Sequence, residues 1–310
     1  MIIAFCLLFT GIQNSVKAQS GTKSRERTER TKSTERAESF EVYAHRGFRG
    51  LNPENTIGGM KNALRTGAIL EFDLNITRDK QVIVCHDGVV NPKITLGPGG
   101  APLKMDRNQM AFYQMNYDQV RGYDVGSKAN PDFPQQMRFK AHIPLFAALI
   151  DSLETYAAQQ NLPAPRYFIE TKLNEKMDGV NHPGPGEFVN LMMQIVKQKG
   201  IQKRMIVQSF DPRTLQVLRK KYPQIQLAFL AKAGTSQDDN LKWLGFNPEY
   251  YSANAEYIDE ALVAQCARLN IRLITGNCND YQQILRIAKL GVKRVITDYP
   301  MEWLSKRPPE

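Results

Sequence analysis

The sequence predicts an α/β fold in which eight parallel strands close into a (β/α)8 barrel. Three observations predict it. Short apolar runs alternate with amphipathic helical segments from residue 41 to residue 300, and strands separated by helices are parallel strands with crossovers. Eight such runs can be counted once a ninth, too close to its predecessor to be a barrel strand, is set aside. With the two terminal segments removed, about 270 residues remain, which suits one barrel of roughly 250 residues.

The elements follow in order. The first run is EVYAHRG (41–47), followed by the helical segment ENTIGGMKNALRTG (54–67) and the second run ILEFDLNIT (69–77). QVIVCHD (81–87) comes only a few residues later, after Arg78, Asp79 and Lys80. A parallel crossover needs a dozen or more residues, so this run is expected to fold back as a β-hairpin arm on the second strand. Residues 88–140 are rich in Pro and Gly and too long for a plain loop, which predicts an insertion at the C-terminal face. The alternation then resumes with RYFIETK (166–172), RMIVQSF (204–210), QLAFLA (226–231), YYSANA (250–255), RLITGN (272–277) and VITDYP (295–300). RTLQVLRKKY, YIDEALVAQCARLN and DYQQILRIAKLG lie among them as amphipathic helices, and several helical segments end in Gly, a frequent helix terminator. In this TIM-barrel arrangement, chemistry sits where strands end and the following loops begin.

Three segments are expected: a signal peptide (1–18), a polar linker (19–39) and the barrel domain (40–310). IIAFCLLFTGI is too short for a membrane-spanning helix, and Val16 and Ala18 precede a plausible cleavage point. The chain is therefore expected to be exported, to the periplasm or beyond, with no stable membrane span. Residues 20–39 are nearly all Ser, Thr, Arg, Lys and Glu and cannot bury apolar surface. Three cysteines follow the signal, Cys85, Cys266 and Cys278. An odd, small number argues against a disulfide framework, and their apolar settings suit small buried side chains. With 41 basic and 31 acidic residues the chain carries a net charge of +10, which favours anionic partners. No dense basic run interleaved with aromatics occurs, so nucleic acid is not expected. Oligomeric state is not legible.

Glu71 and Asp73 are two apart on one strand, so both point to the same face. Glu170 closes the next barrel strand. Three carboxylates without Cys or His at ligand spacing suit a hard cation, Ca²⁺ or Mg²⁺; pairing with Arg or Lys is the equal alternative. His45 and His86 end strands and can flank one site as acid and base. Arg46 offers a forked donor for phosphate, and Lys172 shares the face of Glu170. His142 and His182 stand in Pro-flanked contexts and read as surface residues. No Gly-x-Ser-x-Gly elbow supports a serine hydrolase, and Gly97 to Gly100 lacks the strand-to-helix context of a phosphate loop.

AHRGFRGLNPENT (44–56), EFDLNITRD (71–79) and VIVCHD (82–87) together resemble the signature of the glycerophosphodiester phosphodiesterases. IETK (169–172), VQSF (207–210) and GVKRVITDYP (291–300) agree in order, and GYDVGSKANPDFPQQ (122–136) falls where that family carries an insertion over the site. The resemblance implies a barrel enzyme that hydrolyses glycerophosphodiesters to glycerol 3-phosphate and an alcohol. It implies His45 and His86 as the acid/base pair, and Glu71, Asp73 and Glu170 as ligands of a divalent metal. It further implies Arg46 and Lys172 as phosphate contacts, with Glu54 supporting the metal site. Asn277 falls where the family reads Trp-Thr-x-Asn; here the block is Ile274-Thr275-Gly276-Asn277, without the Trp. The alternative substrate is lysophospholipid or another lipid headgroup diester, and a third reading is a barrel that binds phosphorylated ligands without turnover.

Overall fold

A computed structural model describes residues 40–104 and 110–306. The expected signal peptide and the whole of the polar linker lie outside the described residues. The barrel strands are β1 (Glu41–Ala44), β2 (Ile69–Ile76), β4 (Tyr167–Thr171), β5 (Met205–Ser209), β6 (Gln226–Leu230), β7 (Tyr250–Ala253), β8 (Arg272–Thr275) and β9 (Arg294–Thr297). They pair in the order β8-β7-β6-β5-β4-β2-β1-β9, each pair parallel. The ring is nearly closed between β8 and β9, where Asn277 bridges Ile296 and the Cys278 amide donates to the Ile296 carbonyl at 2.8 Å. The expected arm is β3 (Val82–Val84), antiparallel to β2 with Leu74 opposite Val84.

Every residue of β2 is buried, as expected where a parallel strand is covered on both faces. Leu70, Phe72, Leu74 and Ile76 pack outward into the large cluster under the helices. The alternate residues face the barrel axis. There Tyr43, Ile69, Phe168, Ile206, Ala228, Tyr250, Ile274 and Ile296, one from each barrel strand, form a separate apolar layer. That layer is the floor on which the polar mouth rests.

The helices cover the outside. α1 (Ile57–Leu64) starts at Thr56, whose hydroxyl accepts from the Gly59 amide at 3.1 Å. α2 (Tyr117–Val120) is one turn within the insertion, and α3 (Phe146–Gln159) and α4 (Pro185–Lys199) flank β4. Asp211, Asp259 and Asp280 cap α5 (Pro212–Lys221), α7 (Glu260–Arg268) and α8 (Tyr281–Lys289), which satisfies backbone N–H groups left open at a helix start. α6 (Gln237–Leu244) and α9 (Met301–Ser305) complete the set. Among the described residues no helix is long and apolar enough to cross a membrane.

The insertion has little regular structure but a core of its own, built from Val90, Phe112, Met115 and Val120 against Ile83 and Ile143. It is tied to the barrel through Gln136, which donates to the Arg49 carbonyl at 2.6 Å, and through Gln135 on the Tyr299 hydroxyl at 2.7 Å. Among the described residues the three cysteines are unpaired; Cys266 and Cys278 are buried, while Cys85 is only half-buried.

One expectation is overturned. His182 is not a surface residue but 4% exposed. Its Nε2 accepts from the Asn174 amide at 2.9 Å and its Nδ1 lies 3.0 Å from the Pro183 carbonyl, so it pins the loop after β4. The Pro and Gly around it shape a folded loop rather than a solvated one. His142 is exposed, as expected.

Candidate active site

The apolar runs of the sequence overshoot the strands, and the overshoot is where the polar groups stand. His45 lies one residue beyond β1, Lys172 one beyond β4 and His86 two beyond β3. After β1 the chain turns sharply: Arg46, Gly47 and Phe48 have φ of 50°, 79° and 58°, a left-handed conformation that costs energy outside glycine. At Gly47 a Cβ would also lie 3.2 Å from the Met60 backbone nitrogen. The turn aims the Arg46 amide at Glu71, donating to Oε2 at 2.8 Å.

Glu71, Asp73 and Glu170 are buried and converge, with one oxygen from each within 4.8 Å of the others. Register explains the meeting, since Asp73 lies beside Glu170 across β2 and β4. Both alternatives read from the sequence are visible together. The acids can hold a hard cation, and they also contact bases. Lys172 Nζ lies 2.7 Å from Glu170 and 3.0 Å from Asp73, and Arg46 Nε lies 3.6 Å from Asp73. Asn55 donates to Asp73 at 2.9 Å, and Gln208 Nε2 to Glu71 at 2.8 Å.

The bases do not neutralise the group evenly. Burial raises the Glu71 carboxyl well above its ordinary range, and the Asp73 and Glu170 charges push it further. Glu170 is also raised, because burial and Asp73 outweigh Lys172. Asp73 goes the other way: burial opposes its charge, but Lys172, His86, Arg46 and the Asn55 hydrogen bond hold its carboxyl low. Gln208 Oε1 and Arg46 Nε are buried with no hydrogen-bond partner. The clustered carboxylates and the unpartnered Gln208 Oε1, an acceptor, fit a site built around an added cation, whereas the Arg46 Nε donor suits an anion.

His45 Nδ1 lies 2.6 Å from Asp298 Oδ1. Asp298 is 1% exposed and also accepts from Arg49 Nε at 2.8 Å, Asn277 at 2.9 Å and Asn279 at 2.6 Å. Burial lowers the pKa of His45, against the pull of Asp298, and because a carboxylate only accepts, Nδ1–H is directed at Asp298. His86, on the arm, pairs its Nδ1 with Asp87 at 2.8 Å. It is more open than His45, with 30% of its side chain exposed against 14%.

The two residues expected to support the site are placed by their contacts. Glu54 lies outside the acid cluster; it accepts from Arg46 at 3.0 Å and sits 3.9 Å from Arg49. Asn277 touches Asp298. Sequence reasoning missed Asp298, Arg49, Asn55, Gln208 and Asn279. A signal existed for Asp298, since it follows β9 as His45 follows β1.

Beside Glu170 and Lys172 a cleft of ≈ 280 Å³ opens, walled by the β4 loop, Gly88 of the arm and Phe210 after β5.

A family description matches residues 45–302, that of the glycerophosphoryl diester phosphodiesterase family. The glycerophosphodiester phosphodiesterase of Caldanaerobacter subterraneus subsp. tengcongensis is 25% identical over 263 residues, 84% of this chain and 94% of that protein. A crystal structure from Silicibacter pomeroyi DSS-3 superposes with a TM-score of 0.73 at 26% identity, covering 84% of this chain and 91% of that one. An Oleispira antarctica phosphodiesterase, solved in complex with the product sn-glycerol-3-phosphate, shares the fold with a TM-score of 0.67 at 20% identity over 86% and 95% of the two chains. Match, barrel and clustered polar groups cover the same residues, and the chain belongs to the glycerophosphoryl diester phosphodiesterase family.

Proposed function

We propose that this chain hydrolyses glycerophosphodiesters to glycerol 3-phosphate and an alcohol, with a divalent metal and with His45 and His86 as acid and base. The observation that carries this reading is the convergence of Glu71, Asp73 and Glu170 within 4.8 Å at the mouth that also bears both imidazoles. Glu71, Asp73 and Glu170 would hold the cation, Ca²⁺ or Mg²⁺, both hard ions suited to oxygen donors. When bound, such an ion offsets charge that builds on the non-bridging phosphate oxygens.

The protein's own groups do the rest. Arg46 and Lys172 add positive charge beside the acids, where an anionic phosphodiester can be held. Asp298 fixes the His45 tautomer, leaving Nε2 to exchange a proton with the reacting group, and Asp87 does the same for His86. One imidazole removes a proton from the attacking hydroxyl or water, and the other delivers one to the departing oxygen. The apolar layer beneath the acids keeps water from below. Glu54 supports the site by fixing Arg46. We also propose export, supported by the apolar run and cleavage pattern of residues 1–18.

The test is release of glycerol 3-phosphate from glycerophosphodiesters by the full chain, with and without chelator, beside His45→Ala. Loss of activity in both supports the reading; full activity in both rejects it.

A further inference from the structure

We propose that the cleft beside Glu170 and Lys172 receives the alcohol arm of the diester, and that it suits a small, uncharged, hydroxylated alcohol. This rests on the proposed hydrolysis and deepens it.

The cleft shares Glu170 and Lys172 with the acid cluster, so a phosphate held there has one ester arm within reach of it. Its rear wall is fixed. His182 pins the loop after β4 from inside, and Arg213 clamps Asp178 of that loop at 2.6 and 3.0 Å while also gripping Asp211. The opposite wall is the end of the arm. There Asn75 donates to the carbonyl of Cys85 at 2.7 Å, and a Cβ on Gly88 would be in ordinary contact with Asn75 Oδ1 at 3.6 Å and the Asn181 Cβ at 3.9 Å. Both walls are held by hydrogen bonds, so the space is preformed.

The lining chemistry selects the occupant. Leu173, Met177 and Phe210 give it apolar surface, with Phe210 40% exposed. Asn75, Asn174 and Asn181 contribute amides, and no side-chain hydrogen bond within the described protein engages Asn181. Charge is confined to Glu170 and Lys172, which are paired with each other at 2.7 Å. A cationic headgroup would meet the Lys172 ammonium with no free carboxylate to receive it. An anionic headgroup would find the Lys172 ammonium already held by Glu170 and Asp73. Hydroxyls can exchange hydrogen bonds with amides while carbon atoms rest on Met177 and Phe210. At ≈ 280 Å³ the cleft falls just below the usual span of ligand pockets, roughly 300–1,000 Å³, and so takes a small group.

The experiment compares kcat/KM of the metal-loaded full chain on glycerophosphoglycerol, glycerophosphocholine and glycerophosphoserine, with Asn181→Leu and Asn181→Asp beside it. The unsubstituted protein is expected to prefer glycerophosphoglycerol. Asn181→Leu, which removes one hydrogen-bonding amide, should lower the glycerol-to-choline ratio about threefold to tenfold. Asn181→Asp should shift the ratio further toward choline, a reversal that a purely structural residue would not produce. Equal use of all three headgroups, or ratios unchanged in both variants, overturns the inference while leaving the proposed hydrolysis intact. No turnover of any diester overturns both.

Discussion

Asp298→Asn is the perturbation that tests the site most sharply. Asp298 accepts four hydrogen bonds, two at Oδ1 from His45 and Arg49 and two at Oδ2 from Asn277 and Asn279. An asparagine has one acceptor and one donor end. With its oxygen toward His45, its amide faces the two asparagine donors. Asn279 cannot turn to compensate, because its own oxygen accepts from the Asp298 amide at 2.8 Å and the Thr297 hydroxyl at 3.0 Å. Hydrogen bonds to a charged acceptor are worth about 1.5–3 kcal/mol each, so this orientation costs roughly 3–6 kcal/mol of stability. With the amide toward His45, the imidazole must accept at Nδ1 and carry its proton on Nε2, the wrong tautomer for a base. An amide behind a catalytic imidazole lowers kcat by up to about 10⁴-fold. Either way kcat on a glycerophosphodiester is expected to fall by at least about tenfold, by the same charge-assisted bond energy, with a smaller change in KM. The measurement is steady-state kinetics together with the melting temperature. A folded variant within threefold of wild-type kcat would refute the role given to this network.

Other outcomes are expected. Burial and the neighbouring acids raise the Glu71 and Glu170 carboxyls, so the cluster gains its full charge only as pH rises. Metal affinity should therefore rise with pH and binding should release protons, which calorimetry in buffers of different ionisation enthalpy would read; affinity independent of pH would count against the cluster as the metal site. Burial lowers the His45 pKa, so if His45 is the base, the acid limb of kcat/KM should lie below the ordinary histidine value of about 6.5, and a limb above it assigns that limb to another group. His182→Ala leaves the Asn174 amide without its acceptor and should cost about 1–3 kcal/mol, seen as a melting temperature lower by several degrees. Gly50→Ala places a Cβ 2.2 Å from the Tyr299 ring, which is itself stacked on Trp303 at 3.9 Å; overpacking of this kind costs about 1–3 kcal/mol, and an unchanged melting temperature would show that the ring moves freely.

The barrel was legible because its strands and helices carry different hydrophobic periods, and those periods survive in the sequence. Strand ends were less so, because at the C-terminal face the alternation continues into His45, Lys172 and His86, whose backbone has already left the sheet. The acid cluster was half legible. Glu71 and Asp73 are two apart and had to share a face, but their meeting with Glu170 depends on the register of β2 against β4. Asp298 was harder still, since 253 residues separate it from His45. His182 misled for a different reason. Prolines and glycines signal where the backbone turns, and they say nothing about whether the turn closes over a side chain.

In the proposed function, the charges at the mouth tie the cation to substrate capture as much as to chemistry. Glu54, Glu71, Asp73, Asp87, Glu170 and Asp298 are gathered there, facing Arg46, Arg49 and Lys172 as the basic partners named in their contacts. The Asp298 charge is consumed by its four donors, and Glu54 by two arginines. What remains around Glu71, Asp73 and Glu170 is a buried negative excess that Lys172 and Arg46 cannot fully offset, as the raised Glu71 and Glu170 carboxyls show. A phosphodiester anion approaching that excess is repelled, and in a site of low dielectric the repulsion is strong. In the proposed function, a divalent ion held by the three carboxylates would reverse the sign of the field at the point where phosphate must sit. Lys172 and Arg46, carboxylate partners here, would then turn part of their charge toward the substrate.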